Sequence, residues 1–192
     1  MKKEKFTQEI NYIKNPRYKQ SAEILIEKLP DYFFEVPASS TGKYHPKFAS
    51  GPGGLVRHTK VAVKIAQELL NSMIGEPFKA EEKDLIILSL ILHDGLKHGK
   101  TQEKYVRFDH PILAAEFVKE NQKEAELTES EANFMYNVIS SHMGPFNKSN
   151  YSEIILPIPK NKYQKFVHMC DLLASKKFLN IPFDENDNIK EE

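Results

Sequence analysis

Apolar residues recur along most of this chain at intervals of three and four, the spacing that puts them on one face of an α-helix. Ala22, Ile26 and Leu29 mark such a face in a helix that starts after Asn15-Pro16 and is stopped by Pro30. Leu55, Ala62, Ile65, Ala66 and Leu69 mark a longer one. Glu81 to Leu92 is apolar nearly all round, the pattern of a central helix covered by others. Ile112, Leu113 and Phe117 give a further helix its core face, with Asp109 as N-cap and Pro111 just inside. Residues 129–142 and 160–180 read as two more helices, and residues 3–14 as either a short helix or a mobile arm. Tyr105 to Phe108 alternates as a strand does. Residues 35–52, with Pro37, Pro46, Pro52, Gly42 and Gly51, read as one long loop of the kind that is often functional. The expected fold is all-α, with six or more helices.

Ionisable residues interrupt the apolar faces. His58 lies three after Leu55 and four before Ala62. His110 stands three before Leu113 and seven before Phe117. His142 follows Val138 by four, and Asp171 follows Val167 by four and precedes Ala174 and Phe178 by three and seven. His93 and Asp94 end the all-apolar helix. Four helices and the end of a fifth therefore turn an ionisable group toward the core. An unpaired buried carboxylate costs several kcal/mol, and two are present. A metal ion removes the difficulty, because it supplies positive charge and takes neutral imidazole and carboxylate as ligands. The remaining histidines differ: His45 sits in the long loop as either a solvated residue or a substrate contact. His98 fits the rim of the site, and His168, three before Asp171, fits a supporting partner. Cys170 reads as core.

Composition narrows the classes. The chain has 192 residues, with 27 Lys plus Arg against 27 Asp plus Glu, so it lacks the strongly basic balance of a protein that holds nucleic acid by bulk charge. Asp184 to Glu192 contain five acids and one base, which leaves 26 bases against 22 acids in the body. One cysteine permits neither an internal disulfide nor a thiolate metal knuckle. The N-terminus lacks the apolar run of a signal peptide, and Leu85 to Leu92 falls short of a membrane span. The expectation is a cytoplasmic protein with no membrane partner.

Leu90-Ile-Leu-His-Asp-Gly-Leu-Lys97 resembles the central motif of the HD superfamily of metal-dependent phosphohydrolases, in which an apolar helix ends in His-Asp and a lysine follows. A helical His about 35 positions earlier and a helical Asp about 75 later complete the resemblance, which covers residues 50–180. Gly53-Gly-Leu-Val-Arg-His58 and Ser141-His-Met-Gly144 are most similar to the HD domain of bacterial 3′–5′ exoribonucleases. The resemblance implies an HD-domain helical bundle over residues 46–181, an N-terminal helical extension over 1–45 and a flexible acidic tail over 182–192. It implies that His58, His93, Asp94 and Asp171 hold one ion. Asp94 would bridge to a second, completed by His110 and His142. Mixed imidazole and carboxylate ligands favour Mn, Fe, Co, Ni or Zn.

The implied activity is cleavage of a phosphodiester in a nucleotide or short single-stranded oligonucleotide by a metal-bridging hydroxide. Asp94 and Lys97 would be catalytic, with Lys97 neutralising charge on the phosphoryl oxygens. Arg57, Lys60, His98 and Lys100 would contact the substrate. Two alternatives share these residues: a nucleotidase or deoxynucleoside triphosphate hydrolase, and a mixed-valence diiron oxygenase with the same four His and two Asp.

Overall fold

Capping residues and apolar stripes set the elements of the computed structural model, which describes residues 1–190. Seven α-helices and no strand form among the described residues. A 3₁₀ turn leads into α1 (Thr7–Tyr12), and α2 (Pro16–Lys28) begins where the Asn15 side chain accepts from the Arg17 N–H. After the long loop come α3 (Gly54–Leu70) and α4 (Ala80–Leu92). The chain continues through α5 (His110–Asn121), α6 (Glu129–Ser140) and α7 (Lys162–Ala174). Thr128 and Glu131 close α6 with reciprocal side-chain bonds, as Asn161 and Gln164 close α7. Helix α4 is the central element: Asp84 to Leu92 are all buried, under α2, α3, α6 and α7. No helix among the described residues is long and apolar enough to cross a membrane.

Three local expectations are corrected. Tyr105 to Phe108 forms no strand, because no second strand lies beside it and Tyr105 is exposed. Asp109 precedes α5 without a capping bond, since both its carboxylate oxygens are taken by Arg107 at 2.7 Å. Helix α7 ends at Ala174, so Phe178 leaves the Asp171 face and is exposed.

Residues 1–45 share one apolar core with the remainder. Phe6, Ile10, Ile13, Leu25, Ile26 and Phe33 are buried in the same cluster as Leu55, Ile86 and Val167. Residues 3–14 thus carry an apolar face that their charges obscure. The acidic segment 182–190 lies against α3. Arg57 meets Asp187 at 2.6 Å, Lys60 donates to Asn188 at 2.8 Å, and Phe183 packs on Phe48. Residues 191 and 192 of the expected tail lie outside the described residues.

The long loop is pinched at its base. Ala38 N–H bonds to the Ala49 carbonyl, and Leu55 N–H bonds to the Val36 carbonyl. Gly54 makes this closure possible, because a Cβ there would meet the Ala49 carbonyl oxygen at 2.2 Å. The first turn of α3, just before His58, is positioned by that contact.

Candidate metal centre

Four helix ends and the last turns of a fifth helix converge at one end of the bundle. His58 comes from the start of α3, His93 and Asp94 from the end of α4, and His110 from the first residue of α5. His142 follows the end of α6, and Asp171 sits near the end of α7. Their donor atoms form three overlapping groups, each with all atoms within 4.8 Å: His58–His93–Asp94, His93–His142–Asp171 and Asp94–His110–His142.

Asp94 is common to both halves. Its Oδ2 lies 3.7 Å from His58 Nε2 and 3.5 Å from His93 Nε2. Its Oδ1 lies 3.1 Å from His110 Nε2 and 3.7 Å from His142 Nε2. Asp171 Oδ1 completes the first half, 2.9 Å from His58 Nε2 and 3.4 Å from His93 Nε2. Asp94 is almost wholly buried, whereas the Asp171 side chain keeps 17% of its surface exposed and marks the side open to solvent.

The imidazole tautomers follow from the backbone. His93 Nδ1 lies 2.7 Å from the Leu90 carbonyl, His110 Nδ1 2.6 Å from that of Arg107, and His142 Nδ1 2.8 Å from that of Ile139. A carbonyl only accepts, so each Nδ1 carries a proton, and in the neutral imidazole each Nε2 turns a bare lone pair inward. His110 and His142 consequently aim two Nε2 atoms at each other across 3.3 Å, beside a carboxylate oxygen. Converging acceptors repel unless a cation lies between them. His93 Nε2 and Asp94 Oδ1 are buried with no hydrogen-bond partner among the described residues. This donor set fits one or two divalent transition-metal ions: inward nitrogens, two carboxylates, and outer nitrogens anchored on carbonyls in His93, His110 and His142, though His58 Nδ1 has no partner among the described residues.

Charge at the site follows from the same contacts. Burial opposes ionisation of Asp94, but the Lys97 ammonium, followed by His93 and His110 in their protonated forms, holds its carboxyl well below the usual range. Asp171 is likewise held low against burial, by His58 and His93 when their Nε2 atoms carry a proton. Burial pushes His142 down to about 3, reinforced by His93. Lys97, nearly buried, places its ammonium 2.5 Å from Asp94 Oδ2. Within the centre itself, the cation nearest the carboxylates is therefore a lysine.

Of the other residues singled out from the sequence, Arg57, Lys60 and Lys100 have partners away from the centre, and His98 stays close to it. The Arg57 guanidinium is consumed by Asp187 and the carbonyls of Phe48, Ser50 and Pro52, so it ties the loop and the C-terminal segment to α3. Lys60 is fully buried on the opposite side, between Asn188 and Glu9. Lys100 is exposed and paired with Glu120 at 2.7 Å. His98 is buried near the centre, its Nδ1 on the Glu103 carbonyl and its ring against Tyr32.

Two further histidines lie against the centre: His168, read from its spacing as a supporting partner, and His45, left open in the long loop. His168 Nδ1 bonds to the His142 carbonyl at 2.7 Å, and its ring fills the space where a Cβ on Gly144 would sit, 2.2 Å away. Gly144, at φ +59°, lets the His142 turn close against it. The signal was present in the position of His168 three before Asp171. His45 packs edge-on against His58, ring centroids 4.8 Å apart, and burial followed by His58 pushes its imidazole down to about 3. No periodicity tells where a loop residue will lie, so no pattern announced it.

Comparison of the chain with protein-family models, curated proteins and solved structures returned no match.

Proposed function

We propose that the chain is an HD-type metal-dependent phosphohydrolase that cleaves a phosphodiester in a nucleotide or short oligonucleotide. The observation that carries this reading is Asp94, whose two carboxylate oxygens face two different histidine sets. One ion would be held by His58, His93, Asp94 and Asp171, and a second by Asp94, His110 and His142. When bound, such ions supply positive charge for a phosphoryl group and bring the pKa of water toward neutrality.

The protein's own groups account for the rest. Two dications against two carboxylates leave the centre with a net charge of roughly +2, which attracts an anion into a water-poor site. Asp171 lies on the solvent side, so substrate would approach past it. The Lys97 ammonium, with Asp94 engaged by ions, is close enough to pair with a phosphoryl oxygen instead. The carbonyls of Leu90, Arg107 and Ile139 hold three imidazoles in their donor orientation throughout.

A nucleotidase acting on monoesters would use the same groups. A second class, the diiron oxygenase, fits the same four His and two Asp; the ammonium beside Asp94 favours an anionic phosphate. The test is a screen of nucleotides, short RNA and DNA strands and bis(nitrophenyl) phosphate with Mn, Co, Ni and Zn. Metal-dependent release of nucleotide or phosphate, lost in Asp94→Ala, is the expected result. Two bound irons with a mixed-valence signal and no phosphohydrolysis would overturn it.

A further inference from the structure

The loop that carries His45 encloses a cleft of about 250 Å³, lined by Pro37, Ser39, Ser40, Gly42, His45 and Ser50. His45 borders the cleft and also touches the centre, through its edge-on contact with His58. Its Nδ1 is buried and has no hydrogen-bond partner among the described residues. A turn of the ring toward the cleft would bring that nitrogen to a ligand atom and satisfy it.

The chemistry of the lining restricts the occupant. Serine hydroxyls and peptide groups both donate and accept, which matches the hydroxyls of a neutral ligand. The lining holds no Lys or Arg, so a second phosphate finds no counter-charge. Apart from the imidazole it holds no aromatic ring, so a base or aryl group finds no stacking platform. The volume falls below the roughly 300–1,000 Å³ of drug-sized sites, which suits one small ring.

We propose that this cleft holds the sugar ring of a phosphate ester, with its phosphate toward the metal centre and His45 hydrogen-bonded to the sugar. The placement of the phosphate rests on the phosphohydrolase reading; occupation of the cleft does not require turnover. His45 is then a residue that selects sugar phosphates over other esters, and the loop between Pro37 and Gly51 is the wall that recognises them.

The test is an amide NMR titration of the zinc-loaded full chain with ribose 5-phosphate, phenyl phosphate and inorganic phosphate. Ribose 5-phosphate is expected to shift the Gly42 and Gly51 amides, and the other two probes to leave them unmoved. Ser40→Phe, at an exposed position on the rim, fills the cleft without disturbing the core. It should weaken ribose 5-phosphate at least about tenfold, with unchanged metal content and unchanged affinity for inorganic phosphate. His45→Ala should give the same pattern. Equal weakening of all three probes in either variant overturns the proposal. So does hydrolysis of sugar phosphates without movement of the loop amides, which leaves the phosphohydrolase reading standing. Loop shifts without hydrolysis of any ester do the reverse: they support the cleft and remove the hydrolase.

Discussion

Asp94 joins two sets of imidazoles because it follows the last turn of a helix buried on every side, with Lys97 paired to one of its oxygens. Asp94→Ala is expected to lose both ions and all turnover, read as metal content by mass spectrometry alongside an unchanged helical circular dichroism spectrum. His142→Ala should drop metal content by one ion and keep the first; unchanged stoichiometry would show the second group wrongly assigned. His168→Ala removes the hydrogen bond on the His142 carbonyl and the ring that supports Gly144. Loss of such outer partners typically costs about 10–100-fold in metal affinity, and a drop of that size at the weaker site is predicted here. The faces of His58, His110 and Asp171 were legible from apolar spacing, since burial of a helix stripe dictates which residues point inward. His142 lies past the end of α6, short of the expected helix over 129–142, and is turned inward by the Ile139 carbonyl instead. The directions of Arg57 and Lys60 were not legible. Both follow a C-terminal segment whose return onto α3 leaves no periodic trace, and that return draws them away from the site.

Helices α3, α4, α5, α6 and α7 were readable because each has a continuous stripe and a recognisable start or stop. Helix α1 was ambiguous because six residues give too few turns for a stripe to stand out among charges. What fastens the N-terminal helices is polar as well as apolar. Arg17 and Tyr18 on α2 both bond to Glu131 on α6, at 2.5 and 2.6 Å, and hold its carboxyl down to about 2, with Arg17 the leading cause. Because the folded pKa lies below the unfolded value, the stabilisation is fully present above the ordinary Glu pKa of about 4.3 and is lost as pH falls toward 2. Glu131→Gln is expected to cost about 1–3 kcal/mol at pH 7, measured by urea unfolding. The difference between variant and parent should shrink as the pH is lowered through that window. Asp84 acts similarly at the centre of the fold: it accepts the backbone N–H groups of Lys14 and Asn15 at 2.9 and 2.8 Å, fixing the turn between α1 and α2.

Across the whole molecule, neutrality arises from unlike parts: a mildly basic body, an acidic end whose residues 182–190 fold back on α3, and two carboxylates turned inward to the centre. One apolar core runs from Phe6 to Ala174, so a chain beginning at residue 46 exposes the partners of eight or more buried side chains. It is expected to lose cooperative thermal unfolding, and a sharp transition for residues 46–192 would show the first helices to be dispensable. Metal binding at the proposed centre would be tied to the same fold, since its candidate ligands come from five helices that only folding brings together. Ions present at about a thousand times their dissociation constant stabilise by about 4 kcal/mol, or about 8–16 °C in Tm for a chain of this size. The most direct measurement is a calorimetric titration of metal-free protein with manganese or zinc. The convergence of four imidazoles and two carboxylates predicts two ions per chain, with thermal stability rising as they bind. A chain that takes up no ion and whose Tm is indifferent to metal would contradict it.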